Sequence, residues 1–319
     1  MIVFLVGSIG WYIYHQNHQN IFAGSQVFNI DPGTSIRDFS TDLVKHGLIK
    51  EEWPFLAWAV YKRNTRNIQA GEYIFENTTT LAEILNQIVK GEVISYPITF
   101  IEGWKFVEIM NLLENSEHLV NDLGGLTNME VLVRVGSEFD NLEGIFFPDT
   151  YYSVRGELYS VVLRRAHETM TNKLSEIWRL RSPDLPLSTV YEALILASII
   201  EKEAAKDEER AHIAGVLVNR LNQNIPLQVD PTVIYGLGET FDGDLKRKHL
   251  KLDGLYNTYT RKGLTPTPIS NPGLNSLLAA INPIVTKDMF FVARGDGSHE
   301  FSETLDEHHR AVQKHQMGN

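Results

Sequence analysis

Two glutamates, Glu201 and Glu203, stand at the end of an apolar run, Ala193 to Ile200, in which Ser198 is the single polar residue. Carboxylates at the tip of a buried helix are costly unless they emerge at a cleft or find partners. A carboxyl kept partly out of water is in turn a candidate proton donor. Farther along lie side chains suited to a polyhydroxylated ligand: Asn219, Gln228, Asp230, Tyr235, Asn257 and Tyr259. An earlier stretch, 142–151 (LEGIFFPDTY), interleaves Glu143 and Asp149 with a glycine, a proline and aromatics, and reads either as a packed turn or as a cleft wall offering carboxylates. Such a set suits sugar-polymer chemistry, where hydroxyls and acetamides need many hydrogen bonds, and it suits a glycan-binding module equally. Periodicity alone leaves open which glutamate would act.

Composition removes several other chemistries. The 319 residues carry a net charge of −11 and no basic stripe, which argues against nucleic acid as a partner. With no cysteine, disulfides, thiolate zinc sites and cysteine nucleophiles are excluded. No G-x-S-x-G, S-x-x-K, H-E-x-x-H or Walker A pattern occurs. His308 and His309 are adjacent, so on a helix they point about 100° apart and do not share an ion. His299, His308 and His309 are read as solvated or hydrogen-bonded histidines, and neither a metal nor another cofactor is expected.

The glutamates require a helix to carry them. Thr189 and Glu192 have capping-box spacing, and apolar residues on all sides predict a helix over 188–203 that is buried on most faces. Leu158 to Trp178 predicts the helix before it. Glu208 to Asn222, with Ile213, Val216, Leu217 and Leu221 on one face, predicts the one that packs back, closed by Asn219 and Arg220. A helix from Asn275, a hairpin of Met289–Ala293 and His299–Ser302 turning at Gly295, and a last helix from Thr304 complete this part. After the strand 96–101, helical patterns run to Leu119.

Val27 to Val93 reads as a separate small module of strand, two helices, strand and helix, with Trp53, Phe55 and Trp58 at helical spacing in its core. Ahead of it, Met1 to Tyr14 is apolar and uncharged, then turns polar at His15. Fourteen helical residues span about 21 Å, short of a roughly 30 Å hydrocarbon core. The sharp polar boundary and the Trp11, Tyr12 and Tyr14 cluster favour a short or clipped membrane anchor over a buried helix.

Several longer motifs, in order, carry a resemblance. They are L-E-G-x-F-F-P-D-T-Y at 142–151, A-S-I-I-E-K-E at 197–203, V-N-R-L at 218–221 and L-Q-V-D-P-T-V-I-Y-G at 227–236. Y-N-T-Y at 256–259, P-I-S-N-P-G at 268–273 and H-E-F-S-E-T at 299–304 follow. Nearly the whole chain after the N-terminal segment thus resembles the endolytic murein transglycosylases of the MltG (YceG-like) type. The resemblance implies an α+β protein: a membrane-anchor segment at 1–16, a LysM-like module at 26–95 and a larger mixed catalytic domain with a helical core at 96–319. It implies anchoring in the bacterial inner membrane with a periplasmic body, and peptidoglycan glycan strands as substrate. Penicillin-binding proteins of the cell-wall synthesis machinery are the implied partners. The implied reaction is non-hydrolytic cleavage of nascent strands, leaving 1,6-anhydro-N-acetylmuramic acid ends.

Within that family the catalytic glutamate matches Glu203. The candidate substrate contacts are Gln228, Asp230, Tyr235, Asn257 and Tyr259, with Asn219, Glu143 and Asp149 behind them. Ala204 departs from the Thr or Ser usual after that glutamate, Thr265 from a usual Pro, and His309 from a common Asn. Ala204 also keeps a non-catalytic glycan-binding or divisome scaffold as the competing expectation; a metal-dependent peptidase stands third.

Overall fold

The computed structural model describes residues 2–20, 24–76 and 79–316. Met1 of the expected anchor, 77–78 of the expected module and 317–319 of the expected catalytic domain lie outside the described residues. Contacts divide the chain into two units, Met1–Pro97 with Tyr152–Glu157, and Ile98–Tyr151 with Leu158–Asn319.

The first unit holds α1 (Ile2–Asn17), β1 (Gln26–Ile30), α2 (Ile36–Lys45), α3 (Trp53–Tyr61), β2 (Gly71–Phe75) and α4 (Leu81–Lys90). β1 and β2 pair antiparallel, Phe28 opposite Tyr73. Capping boxes at Ser35/Asp38 and Thr80/Glu83 fix where α2 and α4 start. The core gathers Phe28, Ile30, Phe39, Leu43, Phe55, Tyr73, Phe75, Ile84 and Ile88. Only Phe55 of the three aromatics expected there is in that core. Trp53 is 44% exposed and stacks on Tyr12, and Trp58 meets Tyr14 edge-on.

That exchange follows from α1, whose polar end docks on α3: Asn17 is buried and donates to Pro54 O at 3.0 Å. The beginning of α1 instead leaves Phe4, Leu5 and Val6 exposed. With 16 residues α1 is short, and among the described residues no helix is long and apolar enough to cross a membrane.

The chain continues as β3 (Tyr96–Thr99), α5 (Phe106–Glu114), β4 (Leu119–Val120), α6 (Asn128–Val135), β5 (Thr150–Ser153), β6 (Glu157–Leu158) and α7 (Tyr159–Trp178), all in the second unit except Tyr96, Pro97, Tyr152, Ser153 and Glu157. Then come α8 (Val190–Glu203), α9 (Arg210–Asn222), α10 (Asp230–Leu237), α11 (Arg247–Lys251), α12 (Leu274–Ile281), β7 (Phe290–Ala293), β8 (His299–Ser302) and α13 (Leu305–Gln316). The helical pattern expected to reach Leu119 stops at Glu114. α6 starts on a Thr127/Glu130 capping box, whereas α11 is five residues of mostly charged sequence with no apolar period to betray it.

α8 is the axis of this unit. Thr189 Oγ1 accepts from Glu192 N–H at 3.1 Å, closing the capping box, and all eight residues from Ala193 to Ile200 are buried. α7, α9 and α12 surround them, through Leu163, Ala166 and Met170, Ile213 and Leu217, and Leu277, Ala280 and Ile281. At about 2 kcal/mol per large aliphatic side chain, this burial is what holds α8 in place. Ser198, the polar residue of the run, is satisfied by the 268–273 loop: Ile269 N–H donates to its Oγ at 3.0 Å, and Ser270 Oγ donates to its carbonyl at 3.2 Å.

The same loop settles the nature of the 142–151 stretch. Asn271 Oδ1 accepts from Phe146 N–H at 2.9 Å, and its Nδ2 donates to Trp104 O. Gly144 lies at φ +81, and a Cβ there would sit 2.3 Å from Pro268 Cβ, so the close approach needs glycine. Residues 142–148 are buried, as a packed turn requires.

Candidate active site

The end of α8 sends its two glutamates to different places, as a separation of about 200° on a helix requires. Glu201 lies 3.2 Å from Arg210 Nη1 and accepts from Gly273 N–H at 2.9 Å. Arg210 is further held by Asp207 at 2.8 Å and by Ser276 Oγ, so this carboxylate is committed to joining α8, α9 and the 268–273 loop.

Glu203 opens on a cleft of about 540 Å³ whose walls include Arg220, Gln228, Asp230, Tyr259, Phe290, Phe291, His299 and His308. Among the described residues its carboxyl has no hydrogen-bond or ion-pair partner. Burial pushes it up to about 8, and the negative charge of Asp230 adds to the rise. Ala204 closes the helix: its N–H donates to Ile200 O at 2.9 Å, and its buried methyl offers Glu203 no hydroxyl. A carboxyl that keeps its proton near neutrality while open to a cleft can act as a general acid.

Three of the expected contacts share this cleft. Gln228, at φ +54, accepts on its Oε1 from Arg220 Nη1 at 3.0 Å. Asp230 stands in the first turn of α10 and accepts from the Tyr259 hydroxyl at 2.5 Å. Burial and that carboxylate push the Tyr259 phenol up, so it remains a donor.

The other five candidates do not line the cleft. Asn257 is buried and spends its amide on the carbonyls of His249, Leu250 and Leu252, at 3.2, 3.2 and 2.7 Å. Asn219 donates to Thr286 O and Asp288 O at 2.9 and 3.0 Å. Glu143 accepts from Phe106 N–H at 2.9 Å, at the start of α5, and from the Tyr235 hydroxyl at 3.1 Å. Burial raises Glu143 to about 7, but its two oxygens are already engaged within the fold. Asp149 is exposed and accepts from Thr150 N–H at 2.7 Å.

Residue-level reading missed Arg220 as a wall of the site and took His299 and His308 for solvated or hydrogen-bonded histidines. Arg220 is buried and donates to Met289 O at 2.7 Å and to Pro226 O and Leu227 O at 3.0 Å, with Phe290 beneath it at 5.0 Å. It therefore ties α9 to the strand and the loop that form the cleft. Its place in V-N-R-L was the available signal, but the carbonyls it meets could not be read from that motif. His308 stacks on Phe290, ring centroids 5.1 Å apart. Among the described residues no cluster of three or more histidines and carboxylates is arranged to hold a metal ion.

The sequence profile of the YceG-like family matches residues 28–314. An endolytic murein transglycosylase of Bacillus subtilis is 32% identical over 304 residues, covering 90% of this chain and 84% of that protein. One from Streptococcus pneumoniae serotype 2 is 27% identical over 317 residues, 96% of this chain but 52% of that protein, so the chain spans about half of that relative. Among solved structures, the crystal structure of a YceG-like protein from Listeria monocytogenes superposes with a TM-score of 0.55 at 27% identity. It covers 90% of this chain and 98% of that one.

Proposed function

The chain belongs to the YceG-like family, and on that premise we propose that it is a peptidoglycan lytic transglycosylase with Glu203 as its catalytic acid and base. The observation that carries this reading is the Glu203 carboxyl itself: without a partner among the described residues, raised to about 8, and open to a cleft lined with hydrogen-bonding side chains. The names of the B. subtilis and S. pneumoniae relatives support the substrate class.

In this reading Glu203 gives its proton to the oxygen of the β-1,4 bond between N-acetylmuramic acid and N-acetylglucosamine. The bond from that oxygen to the muramic anomeric carbon breaks, and N-acetylglucosamine leaves with a free 4-hydroxyl. The Glu203 carboxylate then takes the proton of the muramic C6 hydroxyl, whose oxygen closes on the anomeric carbon. The product is a 1,6-anhydro end, no water is consumed, and the acid is restored. An intramolecular nucleophile removes the need for a second carboxylate to hold water. Tyr259 and Gln228 are the groups placed to hold sugar hydroxyls, and Asp230 to offset developing positive charge.

Endolytic cutting of nascent strands, ending their elongation beside penicillin-binding proteins, is the proposed role. The strand–helix–helix–strand order of β1, α2, α3 and β2 supports a LysM-like module, and the exposed Phe4, Leu5 and Val6 of α1 support attachment to the bacterial inner membrane with a periplasmic body. Digestion of purified glycan strands in ¹⁸O-labelled water, read by mass spectrometry, tests the reaction. Unlabelled anhydro ends are expected. Labelled reducing ends would make the protein a hydrolase with Asp230 as the second carboxylate, and binding without any product would make it a scaffold.

A further inference from the structure

His299 has an arrangement that the reaction above does not use. It is the first residue of β8, and both its backbone N–H and its ring Nδ1 meet one carboxylate, Glu209, at 3.0 Å to Oε1 and 2.7 Å to Oε2. Glu209 closes the 3-10 turn Asp207–Glu209, six residues beyond Glu203. The pair therefore staples the chain leaving the catalytic helix to the strand forming the opposite wall. His299 and Lys206 together hold the Glu209 carboxyl below its ordinary range despite partial burial, so it is ionised and can only accept. In the neutral ring the proton must then sit on Nδ1. The ring lines the same cleft as Glu203 and packs edge-on against Phe291 at 5.4 Å, and its Nε2 has no partner among the described residues.

A carboxylate that holds one ring nitrogen fixes the tautomer and orientation of the other, the device by which second partners orient metal-bound histidines. Here the ring lines the cleft read above as the glycan site. We propose that His299 is a glycan-contacting residue, its Nε2 lone pair accepting from a hydroxyl or amide N–H of the bound sugar, and that Glu209 acts through it as a positioning residue. This rests on the cleft being the glycan site, though not on the reaction that follows binding.

The test uses the full chain carrying Glu203→Gln, so that nothing turns over, with ¹⁵N-labelled histidine and muramic-acid-containing glycan oligomers as the probe. Before addition His299 carries its proton on Nδ1, and on saturation the Nε2 resonance moves. Adding Glu209→Gln mixes the tautomers. His299→Phe, which keeps the packing on Phe291, weakens oligomer binding about tenfold, the worth of one lost hydrogen bond. A proton on Nε2 in the free protein, or an Nε2 resonance unmoved at saturation, overturns the proposal, and because that readout is made on the native histidine it does not depend on His299→Phe folding. In chains that retain Glu203, the two readings separate. Anhydro products with an unmoved Nε2 sink the contact and leave the reaction, while a moved Nε2 with no product sinks the reaction and leaves the contact.

Discussion

Glu201 and Arg210 face each other at 3.2 Å with side chains only 5% and 9% exposed, which spends the first carboxylate of the helix end on the fold. Removing its charge leaves Arg210 buried with Asp207 as its remaining ion-pair partner among the described residues and Glu102 nearby. Glu201→Gln should therefore cost about 3 kcal/mol of stability in urea unfolding. Glycan affinity of the folded fraction should be unchanged. A variant as stable as the parent would show that this pair does not hold α8 against α9.

Glu203 should behave in the opposite way, because its carboxyl is buried without a partner among the described residues. Its folded value of about 8 lies above that of the unfolded chain. Between the two, the unfolded state gives up a proton that the folded state keeps, so stability is fully present below about pH 4.5 and is lost as pH rises towards 8. Relative to Glu203→Gln, which cannot titrate, the parent should lose up to about 1.4 kcal/mol per pH unit across that window. Unfolding of both proteins at several pH values measures the difference; parallel curves would place the carboxyl in ordinary solvent.

Asp230 raises Glu203 through its negative charge. Asp230→Asn keeps an oxygen for the Tyr259 hydroxyl and removes that charge, so Glu203 loses its proton sooner. The alkaline limb of kcat/KM should move to lower pH, by less than about one unit because Asp230 is exposed and screened. A shift to higher pH would contradict the electrostatic link.

Asn257 is bound to three backbone carbonyls around the end of α11 and accepts from Tyr259 N–H at 2.9 Å. Asn257→Ala should lower stability by about 2 kcal/mol, with KM for glycan strands near that of the parent at temperatures where the variant is folded. A large rise in KM with unchanged stability would return Asn257 to the binding surface.

The reach of sequence reasoning follows the range of the interactions. The Thr189/Glu192 cap and the apolar run to Ile200 are local, and α8 formed where they placed it. Helical geometry also requires Glu201 and Glu203 to face apart, but which one meets a cleft depends on Arg210 and Gly273, 9 and 72 residues from Glu201. Side-chain amides misled because their chemistry does not name the partner. Asn219 and Asn257 have the chemistry of ligand contacts, and nothing in their neighbourhood reveals that carbonyls claim them first. His299 was invisible as a cleft residue because its partner, Glu209, lies 90 residues earlier. Trp53 misled because helical spacing does not say that α1 will supply Tyr12 to cover it.

The central claim, that Glu203 is the acid which opens the glycosidic bond, is met most directly by product analysis of Glu203→Gln on purified glycan strands beside the parent. The account predicts anhydro-ended fragments from the parent and a loss of at least about a hundredfold in the variant, with thermal unfolding and oligomer binding retained. Anhydro ends released by Glu203→Gln at the parent's rate would contradict it.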